Sequence, residues 1–520
     1  MSEKITLTDS VLNRQADYLA ESAQAESLGH HAVRGGLATL SSQFAKFLVQ
    51  TGATIILARL LTPKDFGILA MILAVTAFLG PFRDVGLSTA TIQRAEIMQD
   101  QVSNLFWINT GVGAVLSIFL AVAAPLIAFF YGQPTLTLII IIFSVKFLME
   151  GLAIQHLALI QRRMRFGSLA LLEVSALVAA SAAAIGAAWT GWGYWALIIQ
   201  QLTFPLVVAM GVWLICPWRP GLPSRKSGVR SLVTFGGQLT GSNIMFAFMR
   251  NFDNVLIGWR WGAEALGLYT KAYTLLLLPL NQISFPLHSV ALTSLSKLQN
   301  DPDRYRRFYC QLIALLALLT TPILVVLGVL SHDIIYILLG EQWVGASTIF
   351  TVLAIAALGQ PMGGTIGLVN VSLGQTDRLL RWSLITTPIF MISFLIGLPW
   401  GPLGVATAYA FAVHLIRFPT LWYAFRYSPV KIKDFLNAIW RPIAVSGMMF
   451  LFMAGTKFYL SGQTPIGRLV LCCLVGGVSL GGGILLWPET RRQTTRMIQQ
   501  MIELWRQKRE TPPSTPKVGL

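Results

Sequence analysis

The sequence predicts an all-α integral membrane protein with about fourteen transmembrane helices. Three observations predict this class: the composition is strongly apolar, apolar runs long enough to cross a bilayer follow one another along the chain, and basic residues collect in alternate loops. Of the 520 residues, 54% are hydrophobic and 12% are charged, and the mean hydropathy is +0.64. A soluble domain carries about 25% charged residues. This chain therefore has too few ionic groups to cover a globular surface of its size.

The apolar runs define the predicted helices. A membrane span needs about 20 mostly apolar residues. The stretch 332–370 shows the least regular pattern of a membrane span. Glu341, Gln342 and Trp343 are typical of a membrane interface, and Gly and Pro recur at 359–364. The predicted spans are 35–58, 66–86, 105–130, 135–158, 168–189, 192–215, 231–257, 266–290, 308–331, 345–370, 380–399, 402–424, 436–460 and 466–487.

The loops alternate in charge, and this alternation predicts the orientation. A net charge of +17 would suggest nucleic acid as the partner of a soluble protein, but here the basic residues lie between apolar runs and indicate topology and contacts with anionic lipid heads. By the positive-inside rule, the basic loops and both termini are cytoplasmic. The basic loops contain Arg162, Arg163, Arg165, Arg219, Arg225, Lys226, Arg230, Lys297, Arg304, Arg306, Arg307, Arg378, Arg381, Arg426, Lys431 and Lys433.

The two ends of the chain differ in character from the spans. Residues 1–34 are rich in acidic residues and have no apolar core, so we expect a cytosolic tail without a signal peptide. Residues 488–520 begin with apolar positions at helical spacing opposite several arginines. This pattern predicts a basic amphipathic helix on the cytoplasmic leaflet, or alternatively an ordinary solvated helix, followed by a disordered Pro- and Thr-rich end.

A shift of 200 residues superimposes two parts of the sequence. Residues 55–58 then fall on 255–258, and residues 64–67 fall on 264–267, with an apolar residue and Gly closing both loops. Transporters often contain such repeats, with the binding site between them. We therefore predict a six-helix bundle over 35–230, a pseudo-symmetric six-helix bundle over 231–430, and two additional transmembrane helices over 431–487.

Ionisable side chains inside the predicted spans mark candidate functional positions, since each costs about 2.5–3.5 kcal/mol to insert. Two spacings allow local pairs: Lys146 with Glu150, and Arg250 with Asp253. One interpretation is a charged cavity that binds phosphates; the other is a set of structural ion pairs or interfacial side chains. At the cytoplasmic end of the second span, Arg83 and Asp84 are expected to form a structural pair. The remaining candidates are Lys46, Glu173, Asn254, Lys271, His288 and His414.

Several classes of function lack their sequence signals. There is no Gly-rich loop ending in Lys-Ser or Lys-Thr to bind ATP, and the histidines are scattered, so we expect no cofactor and no metal. The outer loops are too short for an active site. An enzyme is therefore not expected, and neither is a nucleic-acid partner.

Two blocks of sequence resemble a known family. They resemble the polysaccharide-export flippases of the multidrug/oligosaccharidyl-lipid/polysaccharide superfamily, nearest to the colanic-acid-exporter branch. The likeness extends from about residue 35 to 430. Lys271 stands where members often have Arg, which keeps the charge but loses the planar fork. The blocks are LARLLTPKDFG at 57–67 with DVGL at 84–87, and RNFDNVLIG at 250–258 with LGLYTKAY at 266–273.

The resemblance implies an inverted-V bundle of two six-helix halves in the bacterial inner membrane. It also implies export of undecaprenyl-pyrophosphate-linked oligosaccharide units, with membrane lipids, a polysaccharide polymerase and other assembly proteins as partners. The expected cationic substrate cavity comprises Lys46, Arg59, Arg250, Asn254 and Lys271. The expected coupling or pairing carboxylates are Asp253, Glu150 and Glu173, with Lys146 as a pair partner.

Two alternatives remain at this stage. A cation-coupled drug or metabolite exporter of the same superfamily would need acidic groups in the cavity and would confer dye resistance. A non-transporting scaffold of a polysaccharide assembly complex would tolerate the combined loss of Lys46, Arg250 and Asp253.

Overall fold

The computed structural model describes residues 28–83, 87–93, 97–223, 230–460 and 462–486, without the side chains of 28–40, 90, 93, 230–249 and 289. Every regular element in these ranges is helical. The described residues form two compact units. The first contains those of Met1–Lys271, Leu338–Gly345 and Phe390–Val405, and the second contains those of Ala272–Ile337, Ala346–Ile389 and Ala406–Leu520.

The first part of the chain builds most of the first unit. Helix α4 packs along α5, α6 packs along α7, and α1 packs against α6. Phe106 and Trp218 are buried in the core of this unit. The helices are α1 (Leu28–Leu60), α2 (Pro63–Thr76), α3 (Leu87–Gln93), α4 (Gln99–Tyr131), α5 (Leu136–Arg162), α6 (Phe166–Trp189), α7 (Tyr194–Ile215) and α8 (Arg230–Lys297).

The second part of the chain builds most of the second unit. Helix α9 packs against α15, and α15 packs against α16. Tyr305 and Tyr309 are buried in its core and hydrogen-bond to Ser372 and Thr365 of α12. The helices are α9 (Pro302–Val329), α10 (Ser331–Leu339), α11 (Ala346–Ala357), α12 (Gln360–Ser372), α13 (Thr376–Gly397), α14 (Gly401–Phe425), α15 (Ile432–Tyr459) and α16 (Pro465–Leu486).

Helix α8 reverses direction at Gly262. The backbone there is not helical, with φ +80°. The hydroxyl of Tyr269 donates to Asp253 Oδ2 at 2.8 Å, whereas 16 residues of continuous helix would separate the two positions by about 24 Å. Residues 230–261 and 263–297 are therefore two arms of a hairpin. These arms correspond to the predicted spans 231–257 and 266–290.

Length and composition make this a multi-pass membrane protein. In the described ranges, ten helical segments are long and apolar enough to cross a bilayer, or eleven if the bent pair Pro63–Thr76 and Gly80–Thr89 is one span. This pair lies where 66–86 was predicted as a span, and it is bent by 52°. Each of the other predicted spans falls largely within observed helix. The count of fourteen crossings remains a prediction.

Local sequence explains how α2 begins. Thr62 is the N-cap, and its backbone N–H donates to Asp65 Oδ2 at 2.9 Å while its hydroxyl accepts from the Asp65 N–H. This reciprocal pair is a capping box. Pro63 follows at the first helical position, where its missing N–H costs nothing. The TPKD segment therefore fixes the turn between α1 and α2.

Trp343 is buried inside the protein, and the expectation that residues 341–343 lie at a membrane interface stays a prediction. Residues Glu341–Trp343 form a short 3₁₀ helix, and Trp343 is 0% exposed. Its indole N–H donates to the carbonyl of Ala58 at 2.7 Å, and the side-chain amide of Gln342 donates to Ala58 and Leu61 at 2.8 and 3.0 Å. The last carbonyls of a helix have no partner within the helix. These two side chains supply partners at the end of α1, which explains why the tryptophan is buried.

Residues with positive φ recur along the chain. Gly132 and Gly193 have φ +62° and +54°, and 208 positions later Gly340 and Gly401 have φ +101° and +75°. Each lies in a tight connection next to a helix end, where a left-handed residue is required. The offset of 208 differs by eight residues from the 200-residue shift of the sequence match, and the internal repeat stays a prediction. The proposed domain boundaries remain predictions. The expected N-terminal tail up to residue 27, the Arg83–Asp84 pair and the basic C-terminal helix lie outside the described residues.

Candidate functional site

Lys46 and Glu173 form an ion pair between α1 and α6. The Lys46 ammonium bonds Glu173 Oε2, and both side chains are partly buried. The two residues are 127 positions apart, so no local spacing could have indicated the contact. Two candidate residues are thus brought together, and each neutralises the other in this conformation.

The predicted pair of Lys146 and Glu150 does not form, and this is a correction. Glu150 Oε1 instead binds the guanidinium of Arg83 at 3.2 Å, and the Lys146 ammonium donates to Gln201 Oε1 at 3.2 Å. Both residues lie on α5, but partners on neighbouring segments are within reach.

Asp253 does not pair with Arg250, although the two are three residues apart. Asp253 is 8% exposed, and its carboxylate accepts from the Tyr269 hydroxyl and from the Asn254 N–H, both at 2.8 Å. Arg250 is exposed, and among the described residues it has no hydrogen-bond or ion-pair partner. Asn254 is half-buried beside Asp253. The carboxylate thus stabilises the helical hairpin, while the guanidinium has no partner among the described residues.

Lys271 is held by aromatic rings. It is 8% exposed, and its ammonium lies 3.7 Å from the ring centroid of Phe66 and 5.9 Å from that of Trp343. The two rings themselves meet edge to face at 5.3 Å. A cation over an aromatic face is stabilised by about 2 kcal/mol when water is excluded. Lys271 forms no ion pair in the part of the chain that the structure describes.

Arg59, the remaining cation of the expected substrate cavity, lies at the end of α1. It is exposed, and its Nε donates weakly to the Leu338 carbonyl at 3.4 Å. A bond of this length contributes little.

Sequence reasoning missed a buried cluster of uncharged polar groups. Gln155 is fully buried and donates to Thr91 Oγ1 at 3.0 Å, and the Thr91 carbonyl accepts from Arg162 at 2.8 Å. Asn109 is also fully buried, and neither of its side-chain polar atoms has a partner in the described residues. The amides of Asn109 and Gln155 inside apolar runs could have indicated it, but only ionisable residues and Asn254 were considered as candidates.

The candidate residues that the structure describes form separate pairs and contacts. Within the described ranges no group of three or more His, Cys, Asp or Glu is placed to hold a metal ion. In the part of the chain that the structure describes, the carboxylates have protein partners, whereas the guanidinium of Arg250 has none. Such an arrangement suits binding of an anion better than binding of a cation.

A family model described as Polysaccharide biosynthesis protein matches residues 56–348. The chain belongs to this family. The match includes both sequence blocks on which the resemblance rests, and the resemblance is confirmed.

Named relatives of the polysaccharide biosynthesis family match across most of their length. The teichuronic acid biosynthesis protein TuaB of Bacillus subtilis (strain 168) is 25% identical over 428 residues, which cover 81% of this chain and 88% of TuaB. The lipopolysaccharide biosynthesis protein WzxC of Escherichia coli (strain K12) is 24% identical over 418 residues, which cover 78% of this chain and 84% of WzxC.

Among solved structures, the lipid II flippase MurJ in an inward closed conformation has the same fold. The TM-score is 0.68 at 15% identity, with 88% of this chain and 99% of MurJ covered. At this identity the likeness establishes the fold alone.

Proposed function

We propose that this protein is a transporter, not an enzyme, that flips undecaprenyl-pyrophosphate-linked oligosaccharide units across the bacterial inner membrane. The units would serve exopolysaccharide, O-antigen or capsule synthesis. The proposal includes two six-helix bundles that alternate in access, about fourteen crossings and cytoplasmic termini. Membership of the polysaccharide biosynthesis family supports the pathway. The names of the relatives support a role in the assembly of cell-surface polymers.

The unpartnered guanidinium of Arg250 carries the proposal. A charged side chain on a membrane helix is costly unless it faces a cavity or a partner, and no described residue pairs with this one. A pyrophosphate is a suitable ligand because guanidinium forms charge-assisted, bidentate hydrogen bonds with phosphate oxygens. Arg59 is exposed as well and would add a second cation.

Lys46 would contribute by exchange of partners. In the present conformation Glu173 neutralises it. An arriving phosphate would displace the carboxylate, and the release of Glu173 would couple substrate binding to rearrangement of α1 against α6. Lys271 and Asn254 would join only if the hairpin of α8 rearranges, since aromatic rings hold Lys271. The membrane potential favours outward movement of the anion by about 2.3 kcal/mol per charge per 100 mV.

A cation-coupled drug exporter is the weaker candidate. Such a protein needs carboxylates free to bind a cation, whereas Glu150, Glu173 and Asp253 are bound to Arg83, Lys46 and Tyr269. A coupling role for these carboxylates would require each contact to open. A non-transporting scaffold makes no use of an unpartnered arginine. A polysaccharide polymerase and other assembly proteins are proposed partners because they would consume the exported unit.

The experiment is an export assay in a strain that lacks the chromosomal gene. Arg250→Gln should reduce surface polysaccharide at least tenfold at normal protein level, and lipid-linked precursor should accumulate inside. The matched control is Arg260→Gln, on the same helix, where the guanidinium is exposed and rests on the Trp261 ring. Full export by Arg250→Gln would contradict the proposal. Ethidium efflux by the wild type without any polysaccharide defect on deletion would favour the drug exporter.

A further inference from the structure

One membrane-spanning segment of the second unit is interrupted near its middle. The segment Ala346–Ser372 is apolar enough to cross the bilayer, but α11 ends at Ala357 and α12 begins at Gln360. Gly359 is the N-cap of α12, with φ −127° and no side-chain cap. The first amides of a helix have no partner within the helix and carry a partial positive charge. Discontinuous helices in transporters direct such ends at anionic groups.

Arg417 of α14 lies directly against this interruption. A Cβ on Gly359 would lie 2.0 Å from Arg417 Cζ, so the guanidinium packs directly on the backbone of this glycine. Throughout the residues that the structure describes, Arg417 has no hydrogen bond and no ion pair. A half-buried guanidinium in a membrane helix without a protein anion is expensive. Its charge therefore requires an anion from outside the described chain.

A third donor lies in the same place and is independent of the first two. Thr321 is 4% exposed, and its hydroxyl has no hydrogen-bond partner in the described residues. The neighbouring Thr320, by contrast, donates to the Leu316 carbonyl at 2.6 Å. A buried hydroxyl without a partner costs about 1–3 kcal/mol. Thr321 is therefore available to bind a ligand.

All three features line one cavity of about 230 Å³ within the second unit. His414 also lines it, but its ring Nε2 is engaged with the Ile355 carbonyl at 3.1 Å. The other walls are apolar and come from the break between α11 and α12, from α12 itself and from α15. They are Leu358, Met362, Ile366, Phe435, Ile439 and Ile443.

The chemistry of the cavity defines the class of ligand. Guanidinium, a hydroxyl group and a helix N-terminus together suit an oxyanion such as phosphate. The apolar walls suit a hydrocarbon chain and not a sugar. Drug-sized ligands occupy pockets of about 300–1,000 Å³, so this cavity is too small for an oligosaccharide but large enough for part of one chain. It is therefore distinct from any passage for the oligosaccharide.

We propose that this cavity binds a resident anionic glycerophospholipid, with its phosphate on Arg417, Thr321 and the first turn of α12 and part of an acyl chain between α12 and α15. The anionic phospholipid of the surrounding membrane combines a phosphate with acyl chains and is present at all times. Bound there, it supplies the anion that Arg417 lacks within the described protein.

The test is native mass spectrometry of the delipidated full-length protein titrated with phosphatidylglycerol. We expect binding to the wild type, at least tenfold weaker binding to Arg417→Gln, severalfold weaker binding to the nearly isosteric Thr321→Val, and no change for Arg260→Gln. Size-exclusion profile and melting temperature verify folding of each variant, and Thr321→Val keeps the test decisive if Arg417→Gln does not fold.

Three probes separate the sources of affinity. Diacylglycerol has the chains without the phosphate, inorganic phosphate has no chain, and both should bind at least tenfold more weakly than phosphatidylglycerol. Equal binding of diacylglycerol, or unchanged affinity in both variants, would overturn the proposal. Displacement of phosphatidylglycerol by an equal concentration of undecaprenyl phosphate would overturn the assignment to a glycerophospholipid and indicate the carrier lipid.

Discussion

The backbone of Gly67 in α2 touches the backbone of Ala263, the first residue after the reversal of α8. A Cβ on Gly67 would lie 1.6 Å from the Ala263 carbonyl oxygen. The contact is reciprocal, because a Cβ on Gly267 would lie 1.9 Å from the Pro63 carbonyl oxygen. Each glycine and each carbonyl residue is related to its counterpart by 200 positions. The same contact is made twice with exchanged partners, as a twofold relation requires.

Substitution of these glycines should destabilise the protein. A methyl group at Gly67 or Gly267 would clash with backbone atoms, which cannot rotate away. Gly67→Ala and Gly267→Ala should therefore each lower the free energy of unfolding by about 1–3 kcal/mol. The measurement is thermal unfolding in detergent. Gly52→Ala is the matched control, since no atom lies within 4 Å of its Cβ position, and it should unfold no earlier than the wild type. Equal melting temperatures for all three variants would argue against the close contact.

Exchange of charges at Lys46 and Glu173 should separate structure from function. Lys46→Glu and Glu173→Lys each place like charges together and should lower the melting temperature, and the double variant should restore it. Export should remain severalfold reduced in the double variant, because the cation has moved from α1 to α6 and no longer meets the phosphate. Export restored to the level of the wild type would mean that the pair has only a structural role.

The aromatic contacts of Lys271 should be measurable as a coupling energy. Phe66→Leu removes the ring and Lys271→Met removes the charge, and we expect the two to be coupled by about 1–2 kcal/mol in a double-mutant cycle of unfolding. Arg260→Met with Phe66→Leu is the control cycle and should be additive. A coupling energy near zero for the Lys271 cycle would contradict the contact.

The pair of Asp333 and Arg468 should anchor α16. Asp333 is 0% exposed and accepts from Arg468 Nε at 3.0 Å. Removal of one partner from a buried pair costs about 3–5 kcal/mol, so Arg468→Met should lower the melting temperature strongly. Arg306→Met is the control, because its pair with Asp303 is exposed on one helix turn and is worth less than about 1 kcal/mol. Similar losses in both variants would exclude an anchoring role.

Most of the fold is readable from the sequence because apolar runs of span length carry a strong signal. Breaks within the runs are harder to read. Gly262 reverses the chain where two predicted spans meet, and the TPKD cap at Thr62 identifies the start of α2. The interruption at Gly359 could not be predicted from Gly and Pro at 359–364, because membrane helices tolerate both residues. The sequence therefore predicted a single span there.

The partners of the candidate residues could not be read from the sequence. Spacing along a helix suggested Glu150 for Lys146, but Glu150 binds Arg83. Helical spacing shows which residues share a face of one helix. It does not show which side chains of neighbouring helices contact them. The burial of Trp343 could not be read from the sequence either, because its partner at Ala58 is remote in sequence.

The most direct test of the proposed transport function is flipping by purified protein in vesicles. A fluorescent undecaprenyl-pyrophosphate oligosaccharide is placed in both leaflets, and the fraction accessible to an external quencher or enzyme is followed over time for the wild type, Arg250→Gln and Arg260→Gln. We predict flipping by the wild type and by Arg260→Gln, and at least a tenfold slower rate for Arg250→Gln. Flipping by Arg250→Gln at the rate of the wild type would contradict the role of this guanidinium in carrying the pyrophosphate.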